Sequence, residues 1–209
     1  MSRERTKIAE RYGKLAFVYD AWTWFTERKS LAAGVARAAI RDGEAVLEVA
    51  VGSGFVFRKI LLANPSGRNV GIDITDAMLR RTRRKAEPTG ARFELVNADA
   101  RKLPFPDATF DLVVNNNMLG LLPPSHVALV LAEMLRVLRP GGRLLLVTML
   151  RPEHAGAEWI YRVGAIGLGA WSDVALERVV RAAGFEIAAR QIVEQLRIPS
   201  EILQARKPG

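Results

Sequence analysis

Apolar residues recur along this chain in short blocks bounded by turn residues, with helix-periodic stretches between them. Positions 46–50, Asn69 to Asp73, Arg92 to Val96, Phe110 to Val114 and Arg143 to Thr148 read as strands. The continuous apolar run that opens the first marks a parallel strand buried on both faces. The intervening stretches carry helix signals. FVFRKILLA follows the first strand, Thr75 is placed to cap a helix over 76–87, and Ser125 is placed to cap another. In that last helix Val127, Val130, Leu131, Met134 and Leu138 fall on one stripe. Arg139-Pro140-Gly141-Gly142 then turns the chain into the fifth strand. Alternating βα units of this length predict an α/β fold with a single Rossmann-like, doubly wound sheet, mostly parallel.

The two ends depart from this rhythm. Residues 5–41 read as helical, with Ser30 as N-cap of LAAGVARAAIR and Gly43 just past its end. Tyr12, Phe17, Tyr19, Trp22, Trp24 and Phe25 crowd the region before the first strand with aromatic rings, which suits either core packing or an N-terminal helical lid. At the other end, residues 159–171 are apolar and punctuated by glycine, as a helix or an interfacial segment would be. Ser172 is placed to cap a helix reaching about Ala183, and Gly184 to stop it. FEIAARQIV and RIPSEILQAR read as an antiparallel ending, with Pro199 confined to a strand start or edge. One domain over 1–209 is expected, made of N-terminal helices or lid (1–42), a ligand-binding core (43–150) and C-terminal helices with a strand pair (151–209).

Candidate chemistry gathers where strands end. In VLEVAVGSGFVF a strand breaks at Gly52-Ser53-Gly54 and resumes as a helix, which sets backbone N–H groups and a positive helix end at the strand's carboxyl edge. Open α/β sheets bind nucleotide-like ligands there. A plain tight turn would use the same glycines, and Phe57 stands where the dinucleotide fingerprint has its third. Glu48 adds weight, because a carboxylate near the end of an apolar strand is costly to bury unless it has partners. Asp73 lies about twenty residues beyond the turn at the end of the second strand, where a carboxylate can accept both hydroxyls of a ribose. The competing role, capping the next helix, falls to Thr75. Asn115, Asn116 and Asn117 close the fourth strand at the same edge, as pocket amides or as an ordinary polar loop.

Composition narrows the partners. The chain of 209 residues has no cysteine and two histidines, His126 and His154, so no metal site is expected. Its net charge of +9 includes Arg80, Arg81, Arg83, Arg84 and Lys85 within six residues, either a solvated helix face or a contact with an anionic membrane. The opening MSRERTKIAERYGK has no apolar core of a signal peptide, and no uncharged stretch reaches the length of a membrane span. A cytoplasmic location is expected, with peripheral contact at the inner membrane surface. The oligomeric state is open.

The order of these pieces resembles the class I S-adenosylmethionine-dependent methyltransferases, in particular the branch with the ubiquinone/menaquinone methyltransferases and the bacterial phosphatidylethanolamine N-methyltransferases. Residues 46–54 are similar to the first family motif, GIDITDAML to the second, NADARKLPFPDATFDLVV to the third and fourth, and LRPGGRLLLV to the turn into strand five. The resemblance implies S-adenosylmethionine as cofactor. Asp73 would hold its ribose and Asp99 the adenine amino group, with the Ala100 N–H on the ring and Ile74 and Met78 on the ring faces. Gly52, Ser53 and Gly54 would approach the methionine part, with Glu48 orienting the turn or the amino group and Asn115 foremost among the three amides. Ala50 departs from the glycine usual in the family, and its methyl narrows the approach of backbone to ligand.

Methyl transfer from a sulfonium is an in-line displacement that needs alignment rather than a protein nucleophile or a metal. A base is needed only where the acceptor has a proton to lose. Tyr19, His126 and His154 are the candidates, with Tyr12 also able to meet an ammonium through its ring face. The aromatic N-terminus, the apolar 159–171 segment and the basic surface together suit a lipophilic acceptor, a quinone precursor or phospholipid head group. A soluble phenol, amine or natural product is the alternative. Binding of nucleic acid on a Rossmann-like scaffold is not expected, since aromatic and basic residues are not interleaved. A nicotinamide dehydrogenase fits Asp73 but neither the missing third glycine nor the PFPDATFDLVV block.

Overall fold

The structure, a computed structural model, describes residues 26–154, 156–158 and 175–209. The aromatic N-terminal stretch with Tyr12 and Tyr19, the 159–171 segment and Ser172 lie outside the described residues. The order is α1 (Arg28–Arg37), β1 (Ala45–Val49), α2 (Phe55–Ala63), β2 (Arg68–Asp73), α3 (Asp76–Ala86), β3 (Phe93–Asn97), β4 (Phe110–Asn116), α4 (Pro124–Val137), β5 (Leu138–Met149), α5 (Leu176–Ala182), β6 (Glu186–Gln195) and β7 (Ile198–Arg206). The seven strands form one sheet in the order β3-β2-β1-β4-β5-β7-β6. β1 to β5 run parallel, and β7 joins β5 and β6 antiparallel.

Helices cover both faces because alternate strand residues are apolar on both. On one face Val46, Leu112, Val114, Leu145 and Val147 pack with Leu31 of α1 and Val56 and Ile60 of α2. On the other, Leu47, Val49, Ile72, Val113 and Leu146 pack with Val130, Leu131 and Met134 of α4 and Val180 of α5. The reversal of strand order falls between β1 and β4, the place where a doubly wound sheet opens a crevice at its carboxyl edge.

Several boundaries differ from the sequence expectation, each for a local reason. α1 is capped at Glu27, not Ser30; Ser30 sits inside the helix and its hydroxyl donates to the Glu27 carbonyl at 2.8 Å. α4 starts at Pro124 behind Pro123, so proline at the first helical position replaces the expected Ser125 cap, and Ser125 lies exposed in the first turn. Leu138 belongs to β5 rather than the α4 stripe. It pairs with Phe110, after which Arg139 to Gly142 bulge out and the ladder resumes at Arg143. Thr75 does occupy the N-cap position of α3, but no side chain caps the helix; the Thr75 N–H instead donates to Asp73 at 2.9 Å, an Asx turn ahead of the helix.

Candidate active site

The loop after β1 is held in place from below and behind. Ala50, Gly52 and Gly54 all have positive φ, at +59°, +53° and +85°. A Cβ on Gly54 would lie 2.7 Å from the Thr82 Cα of α3, so this glycine is required by packing as well as by backbone conformation. Thr82 in turn donates its hydroxyl to the Gly52 carbonyl at 2.9 Å, and Lys85 reaches the buried Ser53 hydroxyl at 3.2 Å. Gly71 on β2 leaves room for Val51, whose side chain would sit 2.7 Å from an added Cβ. The loop therefore folds down onto the sheet.

Asp73 fixes the loop from β2. Its Oδ2 accepts from the Gly52 N–H at 3.0 Å, and its Oδ1 accepts from the Thr75 N–H and hydroxyl at 2.9 and 2.8 Å. A carboxylate has about four acceptor positions, so Oδ2 retains one and Oδ1 gains one if the Thr75 hydroxyl turns away. Burial pushes the Asp73 carboxyl up, against the lowering effect of the bonds from Thr75 and Gly52. Glu48 lies on the same sheet face, since it pairs with Gly71 and Asp73 is two residues on. It is 2% exposed, its Oε1 accepts from the Asn116 amide at 3.1 Å, and its Oε2 has no hydrogen-bond partner among the described residues. Desolvation drives the Glu48 carboxyl well above the usual range; the Asn116 bond opposes this and the nearby Asp73 charge adds to it.

The asparagine run is a clamp across the strand ends. Asn115 donates to the Val49 carbonyl at 2.8 Å, Asn116 to Glu48, and Asn117 to Glu27 at 2.6 Å. Asn117 adopts the left-handed conformation, φ +57°, and its Oδ1 accepts from the Met149 N–H at 2.9 Å. Glu27 is a site residue that sequence reasoning missed. It precedes α1, is 1% exposed, and burial pushes its carboxyl up to about 8 although the Asn117 bond lowers it. The signal available was the acid in TERKS directly before a helix, which reads as an ordinary helix-start charge.

The remaining candidates scatter around the edge. Asp99 forms an Asx turn with the Arg101 N–H at 2.9 Å and is also held by the Arg101 guanidinium at 2.7 Å. That guanidinium lies 3.3 Å from a ring nitrogen of His126, in the first turn of α4. Half-buried Ala100 and Ile74 and buried Met78 flank this side. The loop is braced against α4 by Arg136, which bonds the Leu103 and Phe105 carbonyls, Asp107 and Glu133. His154 is exposed past β5, and Tyr19 lies outside the described residues. The site's donor set fits an adenosyl amino acid: a ribose-height carboxylate, a glycine loop, and two buried acceptors, Glu48 Oε2 and Asn115 Oδ1, without partners among the described residues. Among those residues no cluster of three or more His, Asp or Glu could hold a metal ion, and no helix is long and apolar enough to cross a membrane.

Comparisons with known proteins bear on the family and the fold. Residues 46–142 match a methyltransferase domain family. The chain is 36% identical over 166 residues to the ubiquinone/menaquinone biosynthesis C-methyltransferase UbiE of Ectopseudomonas mendocina, covering 72% of this chain and 61% of that protein. It thus spans about three-fifths of the length of the curated relatives it matches. A structure described as a candidate methyltransferase from Bacillus halodurans superposes with a TM-score of 0.70 and 25% identity, over 87% of this chain and 100% of the other. The N-methyltransferase NodS from Bradyrhizobium japonicum, in complex with S-adenosyl-L-homocysteine, shares the fold with a TM-score of 0.69 and 16% identity over 88% of each chain.

Proposed function

Since the chain belongs to the class I S-adenosylmethionine-dependent methyltransferases, we propose that it moves a methyl group from that cofactor to a lipophilic acceptor, a quinone precursor before a phospholipid head group. The observation that carries the reading is the joint placement of Asp73 and Glu48 on one face of the carboxyl edge, with the glycine loop bonded to Asp73 at 3.0 Å. The order of preference among acceptors rests on the similarity to quinone C-methyltransferases. A soluble phenol, amine or natural product is the second reading, favoured by the exposed polar rim of His154 and Glu153 beyond β5.

S-adenosylmethionine, when bound, supplies an electrophilic methyl on a sulfonium. Asp73 accepts the ribose hydroxyls at its open acceptor positions. Gly52 to Gly54 admit the methionine portion, and Glu48 Oε2, without a partner among the described residues, meets its ammonium. Met78 and Ile74 offer the apolar surface for the adenine ring. Asp99 takes the ring amino group only as far as Arg101 releases an oxygen, because the guanidinium already holds both. Asn115 orients the end of β1, and through it the loop, by its bond to the Val49 carbonyl. Alignment of acceptor and methyl supplies the acceleration, and the proton lost by a phenol or activated carbon passes to one of Tyr19, His126 or His154. Among the last two, His154 is open to solvent, whereas His126 is engaged by Arg101.

Peripheral contact with an anionic membrane at the inner surface accompanies the lipophilic reading. Arg80, Arg83 and Arg84 are exposed on α3 and would make it salt-sensitive. The test is calorimetric titration with S-adenosylmethionine and S-adenosylhomocysteine, with NAD as control, followed by transfer of labelled methyl into a lipid extract. Micromolar binding of the sulfur ligands and organic-phase label are expected. Binding of NAD alone would overturn the cofactor, and label confined to water-soluble products would overturn the lipophilic acceptor.

A further inference from the structure

Methyl transfer by alignment does not require buried acids, yet two stand on the α1/α2 face of this edge. Glu48 is the last residue but one of β1 and Glu27 precedes α1, and each is held by one amide of the consecutive pair Asn116 and Asn117. Neither forms an ion pair with a described lysine or arginine. A buried carboxyl that has an amide donor and no cation is more stable with its proton on. The surroundings sharpen this for Glu48. From β2 the charge is Asp73, which repels a second anion. From β4 there are only amides. On α2 the cations Arg58 and Lys59 lie outward, Arg58 exposed and Lys59 over the Phe55 ring, and on α1 Arg28 and Lys29 are exposed.

A ligand with a positive charge changes that balance. In a site shielded from water its field favours the carboxylate, and the displaced proton leaves to solvent. Donor and product share an ammonium, which the ligand's own carboxylate balances, and they differ in net charge at the sulfur: the donor carries a sulfonium, whereas in the product the sulfur has taken back the electron pair of the broken carbon–sulfur bond and is neutral. We propose that Glu48, with Glu27 as its second, reads the charge of the ligand in this site, ionising against the sulfonium donor and taking its proton back from solvent once the methyl has gone. The pair then discriminates between two ligands of nearly the same shape, holding the donor and loosening the product. This inference rests on the cofactor reading above and adds a mechanism of selectivity to it. It also gives Glu27, whose described side-chain hydrogen bond is to Asn117, a reason to be buried.

Calorimetry of the whole chain at neutral pH tests it, with S-adenosylmethionine and S-adenosylhomocysteine each titrated in phosphate and in Tris, buffers of different ionisation enthalpy. S-adenosylmethionine is expected to release about half a proton or more beyond what its product releases, and its affinity to rise with pH more steeply than that of the product. In Glu48→Gln, which keeps the acceptor for Asn116, the ratio of the two affinities is expected to shift about fivefold against S-adenosylmethionine, with most of the extra proton release gone. Equal proton counts for the two ligands in the unmodified chain overturn the inference, and that measurement stands even if the variant does not fold. Failure of both ligands to bind overturns the cofactor reading, a result distinct from binding with equal counts.

Discussion

Asp73 and Glu48 are buried acids at the ends of neighbouring strands, and they are treated in opposite ways. Asp73 receives hydrogen bonds from N–H and O–H donors close by in the chain, Gly52 and Thr75 among them. Among the described residues Glu48 receives one, from a residue 68 positions away, and its other oxygen has no partner there. The first arrangement offsets part of the cost of burying an anion, since each donor stabilises the charged form. The second offsets less. The β1–β2 side of the edge is thus suited to neutral hydroxyls seeking an acceptor, and the β1–β4 side, with Glu27 and the asparagine clamp, to a ligand that brings its own positive charge. One edge holds a fixed acceptor beside a responsive one.

The widest separation between the two kinds of acid is expected in the pH dependence of stability. The Glu27 carboxyl moves from about 4.5 in the unfolded chain to about 8 in the fold, so the folded state binds more protons between these values. Stability falls as pH rises through that window and levels off above it. Glu27→Gln lacks this dependence while still accepting from Asn117. Its stability relative to the unmodified chain should rise by roughly 4 kcal/mol from pH 4 to pH 9, measured by urea denaturation. Parallel curves for the two proteins would place Glu27 with the solvated acids and erase half of the contrast.

Asp73→Ala probes the other half and is expected to act on binding and folding together. Loss of the ribose acceptor should weaken S-adenosylhomocysteine at least tenfold, about 1.4 kcal/mol. Leaving the Gly52 and Thr75 donors unpaired should lower stability by about 1–3 kcal/mol, well short of unfolding a domain with a core this size. Unchanged affinity by calorimetry in a folded variant would remove Asp73 from the ribose and leave it only as the acceptor that ties Gly52 and Thr75 together.

The same division governs what could be read from the sequence. The individual strands, the glycine turn and Asp73 are local features, the bond from Gly52 to Asp73 spanning 21 residues, and hydrophobic periodicity with turn chemistry locates them. The clamp joins Asn115 to Val49 across 66 residues and Asn117 to Glu27 across 90, and no local pattern encodes that. His126 looked like a free base because Arg101, 25 residues earlier, carries no signal that it will turn back to the ring. Ser30 and Ser125 were natural caps by residue type, but Glu27 and the Pro123-Pro124 pair fix the chain's entry one to three residues earlier. Thr75 does take the N-cap position its residue type suggests, but its hydroxyl turns to Asp73 rather than into the helix.

Ala50 sits between the two regions, at the junction of β1 with the loop, and gives the smallest expected effect. Its φ of +59° is left-handed, which costs an alanine about 1–2 kcal/mol that a glycine does not incur. Glycine loses more freedom on folding, by roughly 0.5–1 kcal/mol, so Ala50→Gly should stabilise the fold by no more than about 1 kcal/mol. For a chain of this length that is a rise in Tm of about 2–4 °C. Removing the methyl also opens the backbone beside Gly52, so affinity for S-adenosylhomocysteine should improve by about threefold or less, with no change in the proton count on binding. A lower Tm would mean that the methyl contributes packing that outweighs its backbone strain. An unchanged Tm with a large gain in affinity would mean instead that the loop conformation is set by the ligand, and that the bond from Gly52 to Asp73 is its consequence.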